Sequence, residues 1–132
     1  MEVIDKLALI YLRDKQILIT RSKGKDTWYI PGGKREAGES DQDALIREIK
    51  EELSVDLLPH TCKPVGVFKA QAHGKPLGTI VQMTCYSADF TGELMPAAEI
   101  EEMDWFAYKD RARTAPVDQI IFDWLKERDL IE

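Results

Sequence analysis

A layered α/β fold, with helices covering both faces of a mixed β-sheet, is what this 132-residue sequence predicts. Three observations carry that expectation: short apolar runs rich in β-formers and bounded by turn residues, one amphipathic helix following Ser40, and a second helix opened by Pro116. The elements follow in order. Leu7 to Leu12 and Gln16 to Thr20 read as two strands joined by a turn over Arg13–Lys15, and Trp28 to Ile30 as a short strand stopped by Pro31-Gly32-Gly33. Ser40, three residues before Asp43, opens the first helix with a capping-box-like start, and Leu45, Ile46, Ile49 and Leu53 make its apolar stripe. Val65 to Ala72 and Thr79 to Phe90 read as paired strands around the His73–Pro76 loop. Glu102 to Phe106 is a further strand. The final helix runs from Pro116 through about Glu127, with Val117, Ile120, Ile121, Trp124 and Leu125 on its packed side. Length and the lack of repeats or linkers predict one domain over residues 1–132.

The chemistry is concentrated in the first helix and the loop before it. Glu48, Glu51 and Glu52 stand at i, i+3 and i+4, so they share one helical face and repel one another unless a positive charge sits between them. Oxygen ligands of that kind suit a hard divalent cation such as magnesium, manganese or calcium. A Glu–Glu pair on an amphipathic helix is ordinarily a solvated face. Here, however, the segment from Gly33 to Val55 reads G-x5-E-x7-R-E-I-x-E-E-x-S-V. Chance agreement at eight of nine such positions is on the order of 10⁻⁶ from average residue frequencies. Arg47 is placed to reach back to Glu39 and pin the preceding loop to the helix. The glycines of Pro31-Gly32-Gly33 let the backbone approach a ligand, and a carbonyl there can coordinate a cation.

These 23 residues resemble the box of the Nudix hydrolases, matching it at Gly33, Glu39, Arg47, Glu48, Ile49, Glu51, Glu52 and Val55. Ser54 stands where the family has glycine, in a left-handed helix exit, at a cost of about 1 kcal/mol. The lead-in ILITRS…WYIPGGK is similar to that of MutT-like members. The resemblance implies the family's α/β/α sandwich and a Mg2+- or Mn2+-dependent hydrolysis of a diphosphate linkage in a nucleoside diphosphate derivative. Glu48 and Glu52 become the principal metal ligands, with Glu51 completing the cluster and the Gly33 region offering a carbonyl. Glu39 and Arg47 hold the loop. The proton acceptor is expected among the clustered carboxylates, Glu48 and Glu51 included, because such groups hinder one another's ionisation. Family members often draw a further glutamate from outside the box. Glu99, Glu101 and Glu102 are the candidates, with Glu99 or Glu102 preferred.

A basic rim precedes the acidic helix. Arg21 and Lys34 are expected to contact phosphates, whereas Lys23 and Lys25 read as a solvated loop. Trp28, Tyr29, Trp105 and Phe106 are the aromatics available to stack on a base, with a core role equally expected for Phe106, and Trp28 and Tyr29 are taken as the substrate-binding pair. Lys69 and Ala70 occupy the region where ADP-ribose hydrolases of the family tend to have proline, and dinucleoside polyphosphate hydrolases tend to have a nearby tyrosine that is also absent. By elimination the chain is most similar to MutT-like nucleoside triphosphate pyrophosphohydrolases, which release a nucleoside monophosphate and pyrophosphate. Thr114 and Ala115 stand where oxidised-guanine readers carry asparagine, so that base preference is not expected. The alternatives are hydrolysis of ADP-ribose or a dinucleoside polyphosphate, or nucleotide binding without catalysis.

Composition sets the remaining bounds. A net charge of −6 argues against a stable nucleic-acid partner, and no apolar run approaches the length of a membrane span. Glu2 and Asp5, with no basic leader, argue against a secretory signal, and a cytoplasmic location is expected. Cys62 and Cys85 read as reduced thiols without metal-ligand spacing. The expected partner is a small nucleotide; a homodimer is left open.

Overall fold

The computed structural model describes residues 2–132. Residue parity along two strands shows how the layers form. In β1 (Val3–Leu9), Leu7 and Leu9 turn toward one helix while Ala8 turns toward the other, and in β3 (Gln16–Ser22) Leu18 opposes Ile17 and Ile19 in the same way. Such alternation without a polar face is what a sheet covered on both sides requires. The first helix, α1 (Asp41–Leu53), buries Ala44, Leu45, Ile49 and Leu53 against Leu7, Leu9 and Leu18. The second, α2 (Pro116–Glu127), buries Val117, Ile121, Phe122 and Leu125 with Ala8, Ile17 and Ile19. The result is the expected α/β/α sandwich.

One sheet is mixed. Its order is β5 (Gly32–Lys34), β1, β8 (Ile80–Ser87), β7 (Lys63–Gln71), with β1 and β8 parallel and the other pairs antiparallel. In the second sheet β10 (Ile100–Phe106) and the short β2 (Leu12–Arg13) flank β3, and β4 (Trp28–Tyr29) also pairs β3. A two-stranded ribbon, β6 (Asp56–Leu57) with β9 (Phe90–Thr91), completes the set.

Three expectations shift. The anticipated Leu7–Leu12 strand divides: β1 ends at Leu9, and the chain changes sheet before β2. The hairpin therefore joins β2 to β3, with Asp14 and Lys15 at φ 52° and 60°, the double positive φ of a tight hairpin turn. Gly32 and Gly33 do not merely stop β4. They lie in β5, opposite Ala8 and Leu7 of β1. Phe90 leaves the long β8 run and enters β9.

The helix caps follow the sequence. Ser40 Oγ accepts the Asp43 N–H at 3.1 Å. Ser54 closes α1 at φ 66°, the left-handed exit where the family has glycine. Its hydroxyl donates to the Met95 carbonyl at 3.0 Å, a bond that glycine would lack. Among the described residues no helix is long and apolar enough to cross a membrane. Both cysteines are free, and burial pushes the Cys85 thiol up to about 12.

Candidate active site

Glu48 and Glu52 lie one helical turn apart on α1, beside its apolar stripe, and that position directs both toward the backbone of β5. Glu52 is only 6% exposed, and one of its oxygens, Oε1, accepts the Gly32 N–H at 3.1 Å. The Glu48 carboxylate rests against Gly33 so closely that a β-carbon there would sit 2.2 Å from its Oε2. Gly33 thus keeps a carboxylate-sized space open against its own backbone.

Arg47 organises the surroundings. Its Nε and Nη2 donate to the two oxygens of Glu39 at 2.7 and 2.9 Å, a forked pair that ties the loop to the helix as the spacing predicts. Nη2 also donates to the Lys34 carbonyl at 3.1 Å, and Nη1 to Glu48 Oε1 at 2.9 Å. One guanidinium therefore locks loop, strand and helix together. The Arg47 hydrogen bonds hold the Glu39 carboxyl down to about 2, and the Arg47 pKa is raised in return.

Glu99 approaches from outside the box. The end of α1 positions it: the Met95 and Ala97 N–H groups cap the Leu53 and Glu52 carbonyls at 2.9 Å each, and Ser54 Oγ holds Met95. The loop so pinned brings Glu99 into the same cleft, of about 370 Å³, that Glu48, Glu52, Gly32, Gly33, Tyr29 and Lys34 line. Burial pushes Glu52 up to about 8, and the charges of Glu48 and Glu99 add to the effect. Glu48 is also raised, chiefly by burial, with Glu51 and Glu99 contributing and Arg47 opposing.

The site thus crowds three carboxyl groups, Glu48, Glu52 and Glu99, into one cleft, and these side chains offer only oxygen as ligand atoms. Among the described residues no three His, Cys, Asp or Glu side chains already converge as a metal cage. Yet buried Glu52 and half-buried Glu48, both of raised proton affinity, beside an open backbone cradle fit a hard divalent cation.

A NUDIX domain family model matches residues 5–125. The chain belongs to the Nudix hydrolases. Members of this family act on phosphorus-containing anhydrides and generally use divalent metals. The CTP pyrophosphohydrolase of Escherichia coli (strain K12) is 30% identical over 125 residues, covering 89% of this chain and 87% of that protein. An ADP-ribose pyrophosphatase of Methanocaldococcus jannaschii is 28% identical, covering 86% and 68%. Among solved structures, a MutT NUDIX hydrolase from Burkholderia pseudomallei superposes with a TM-score of 0.77 at 25% identity, covering 93% of this chain and 98% of its own. The E. coli ORF135 protein gives 0.75 at 28% identity, covering 97% and 92%.

The remaining expected residues of this Nudix hydrolase divide by strand parity. Tyr29 and Lys34 line the cleft, but Trp28, the neighbour of Tyr29, turns the other way, is 6% exposed and packs against Phe106 at 5.0 Å. It belongs to the α2-side core and not to the cleft. Arg21 likewise faces away from Thr20 and Ser22, which line the cleft. It pairs with Glu102, its neighbour across the β3–β10 ladder, and donates to the Lys25 carbonyl at 2.8 Å. The structure therefore places Arg21 and Glu102 against each other outside the cleft, in place of the phosphate and catalytic positions expected for them. Glu51 lies at the edge: its side chain is 54% exposed and turned toward Arg47. A larger hollow, of about 630 Å³, lies beside Tyr11, His60 and Trp124, but none of the box glutamates reaches it.

Sequence reasoning missed Lys6, Ser22 and Asp118. Asp118, on the first turn of α2, is fully buried. Its Oδ1 accepts the Ile30 N–H at 2.9 Å, which anchors the chain just before Pro31-Gly32-Gly33, while Oδ2 has no partner among the described residues. Burial pushes its pKa up to about 7. A folded-state value above the unfolded value of about 3.9 means that the fold favours the protonated form. The associated stability is complete below the unfolded value and is lost as pH rises through about 7. Exchange of Asp118 for Asn keeps the Ile30 bond and removes the buried charge. Urea unfolding should therefore find D118N more stable than the parent at alkaline pH, with the gap closing on acidification; a less stable D118N at alkaline pH contradicts the reading.

Proposed function

We propose that residues 1–132 act as one Nudix domain that hydrolyses nucleoside triphosphates to a nucleoside monophosphate and pyrophosphate, with Mg2+ or Mn2+ as cofactor. The observation that carries the proposal is the convergence of buried Glu52, half-buried Glu48 and the Gly33 backbone with Glu99 in one cleft that also presents two lysines and a tyrosine. Glu48 and Glu52 would hold the cation, with Glu51 at the exposed edge of the cluster and a carbonyl near Gly33. When bound, the cation offsets carboxylate charge and makes phosphorus more electrophilic.

The chain's own groups do the rest. Water attacks a phosphorus of the anhydride, the bridging P–O bond breaks, and the leaving phosphate keeps the bridging oxygen. A carboxylate accepts the proton of the attacking water. Glu99, exposed and held by the α1-capped loop, and Glu48, desolvated beside it, are the acids facing that space. Lys34 binds phosphate oxygens outside the reacting bond, and the Tyr29 ring lies at the base end of the cleft. Arg47 and Glu39 keep Glu48 and the loop in place.

The triphosphate reading draws support from the 30% identity to the CTP pyrophosphohydrolase. It is tested on a panel of nucleoside triphosphates, ADP-ribose and dinucleoside polyphosphates with magnesium. Triphosphates are expected to be the fastest substrates, with monophosphate and pyrophosphate as products; faster turnover of ADP-ribose overturns the assignment. In the same assay E99Q should lose about 10²-fold or more, the range for a positioned acid or base. E102Q should stay within about threefold of the parent, because its partner Arg21 lies outside the cleft. Equal losses in the two variants would contradict the placement of Glu99.

A further inference from the structure

Lys6 stands where an apolar residue is expected. Of its neighbours on the same side of β1, Ala8 belongs to the α2-side core and Ile4 packs against it, and its parallel partner on β8 is buried Met83. A charge in such a row is a departure from the pattern that packing alone would favour. The departure is doubled across the ladder, because Lys6 pairs directly with Lys34 of antiparallel β5. Like charges directly opposite one another destabilise a sheet.

Neither lysine's ammonium has an acid in direct contact among the described residues. Among the described residues, Lys6 makes no ion pair within 4.0 Å and no side-chain hydrogen bond, and neither does the Lys34 ammonium. Lys6 nevertheless is half-buried and lines the carboxylate cleft together with Lys34. It also lines the adjoining hollow of about 210 Å³ that continues past Tyr29 toward His73 and Val117. Its Nζ lies 6.0 Å from the Tyr29 ring centre. It thus sits at the junction of the two spaces, close enough to Glu52 and Asp118 to favour their charged forms without pairing with either.

We infer that Lys6 and Lys34 form a two-lysine clamp that binds the non-bridging phosphate oxygens of a polyphosphate, so that Lys6 is a specificity-determining residue for substrates of high phosphate charge. An anion between the two ammonium groups turns the mutual repulsion into two attractions. The clamp selects for a triphosphate chain over a singly esterified diphosphate, which carries less charge. It rests on the reading of this cleft as a polyphosphate site, but it adds a residue that lies outside the box.

The test is calorimetric titration of the intact protein with inorganic tripolyphosphate in magnesium buffer, which avoids any dependence on base identity or turnover. K6M should bind about tenfold more weakly or worse, and K6R should stay within about threefold of the parent, since it keeps the charge. Removing one of two opposed charges should leave the unliganded K6M with an unfolding temperature equal to or above that of the parent. Binding by K6M within about twofold of the parent overturns the clamp. So does a fall of about 5 °C or more in both K6M and K6R alongside weaker binding, which assigns Lys6 to the fold alone. If nucleotides are hydrolysed while K6M binds tripolyphosphate normally, only the clamp fails. Lysine-dependent binding without hydrolysis of any nucleotide supports the clamp and defeats the proposed activity.

Discussion

Exchanging Glu52 for Gln should cost at least about 10³-fold in metal-dependent turnover, equivalent to about 4 kcal/mol of lost transition-state stabilisation. The same change should stabilise the metal-free protein near and above neutral pH. The two effects share one cause. Glu52 is 6% exposed, and burial pushes its pKa up to about 8, above the unfolded value of about 4.3. The fold therefore favours its protonated form, and that contribution is present in full below the unfolded value and lost as pH rises through about 8. Glutamine mimics the protonated acid and can still accept the Gly32 N–H. In chelator at alkaline pH, E52Q should unfold at higher temperature than the parent. Added magnesium should raise the parent's unfolding temperature and leave that of E52Q nearly unchanged. An E52Q protein with full activity, or with an undiminished magnesium shift, contradicts the role given to this residue.

The second large effect separates two adjacent glycines. At Gly32, φ is 150° and a β-carbon would lie 1.9 Å from the Leu7 carbonyl oxygen, a collision of backbone with backbone in the β1–β5 ladder. G32A should destabilise the fold by about 3 kcal/mol or more. At Gly33 the obstacle is the flexible end of Glu48, which can swing aside. G33A should keep stability within about 1 kcal/mol of the parent while turnover falls about 10²-fold, because the carboxylate loses its place against the backbone. Thermal unfolding and steady-state kinetics on both variants check the distinction. If G33A matches the parent in activity, the contact between Glu48 and the Gly33 backbone has no catalytic significance.

Much of this molecule is legible in its sequence. Ser40 as a cap, the stripe of Leu45, Ile49 and Leu53, and the forked Arg47–Glu39 pair all follow from spacing within one helix and its loop, where local geometry decides contacts. The misplacements of Trp28, Arg21 and Glu102 have a different origin. Each is one residue out of phase with a cleft-lining neighbour or lies across the ladder from one that is, and in an isolated short strand nothing in the sequence states which parity faces the ligand. The sequence leaves Glu99 and Glu102 as equal choices for the acid outside the box. What singles out Glu99 is the capping of the α1 carbonyls by the Met95 and Ala97 N–H groups, a contact over some forty residues. Lys6 did leave a trace, a charge within an apolar row, but its meaning depends on Lys34 arriving opposite it through β5, an element read as a turn.

The central claim is that the carboxylates of Glu48 and Glu52, with the backbone at Gly33, hold a divalent cation. Anomalous diffraction from crystals grown with manganese and a non-hydrolysable nucleoside triphosphate tests it directly. The expected result is a manganese peak between those two side chains and the β5 backbone; a site that stays empty, or a peak found only elsewhere, contradicts the claim.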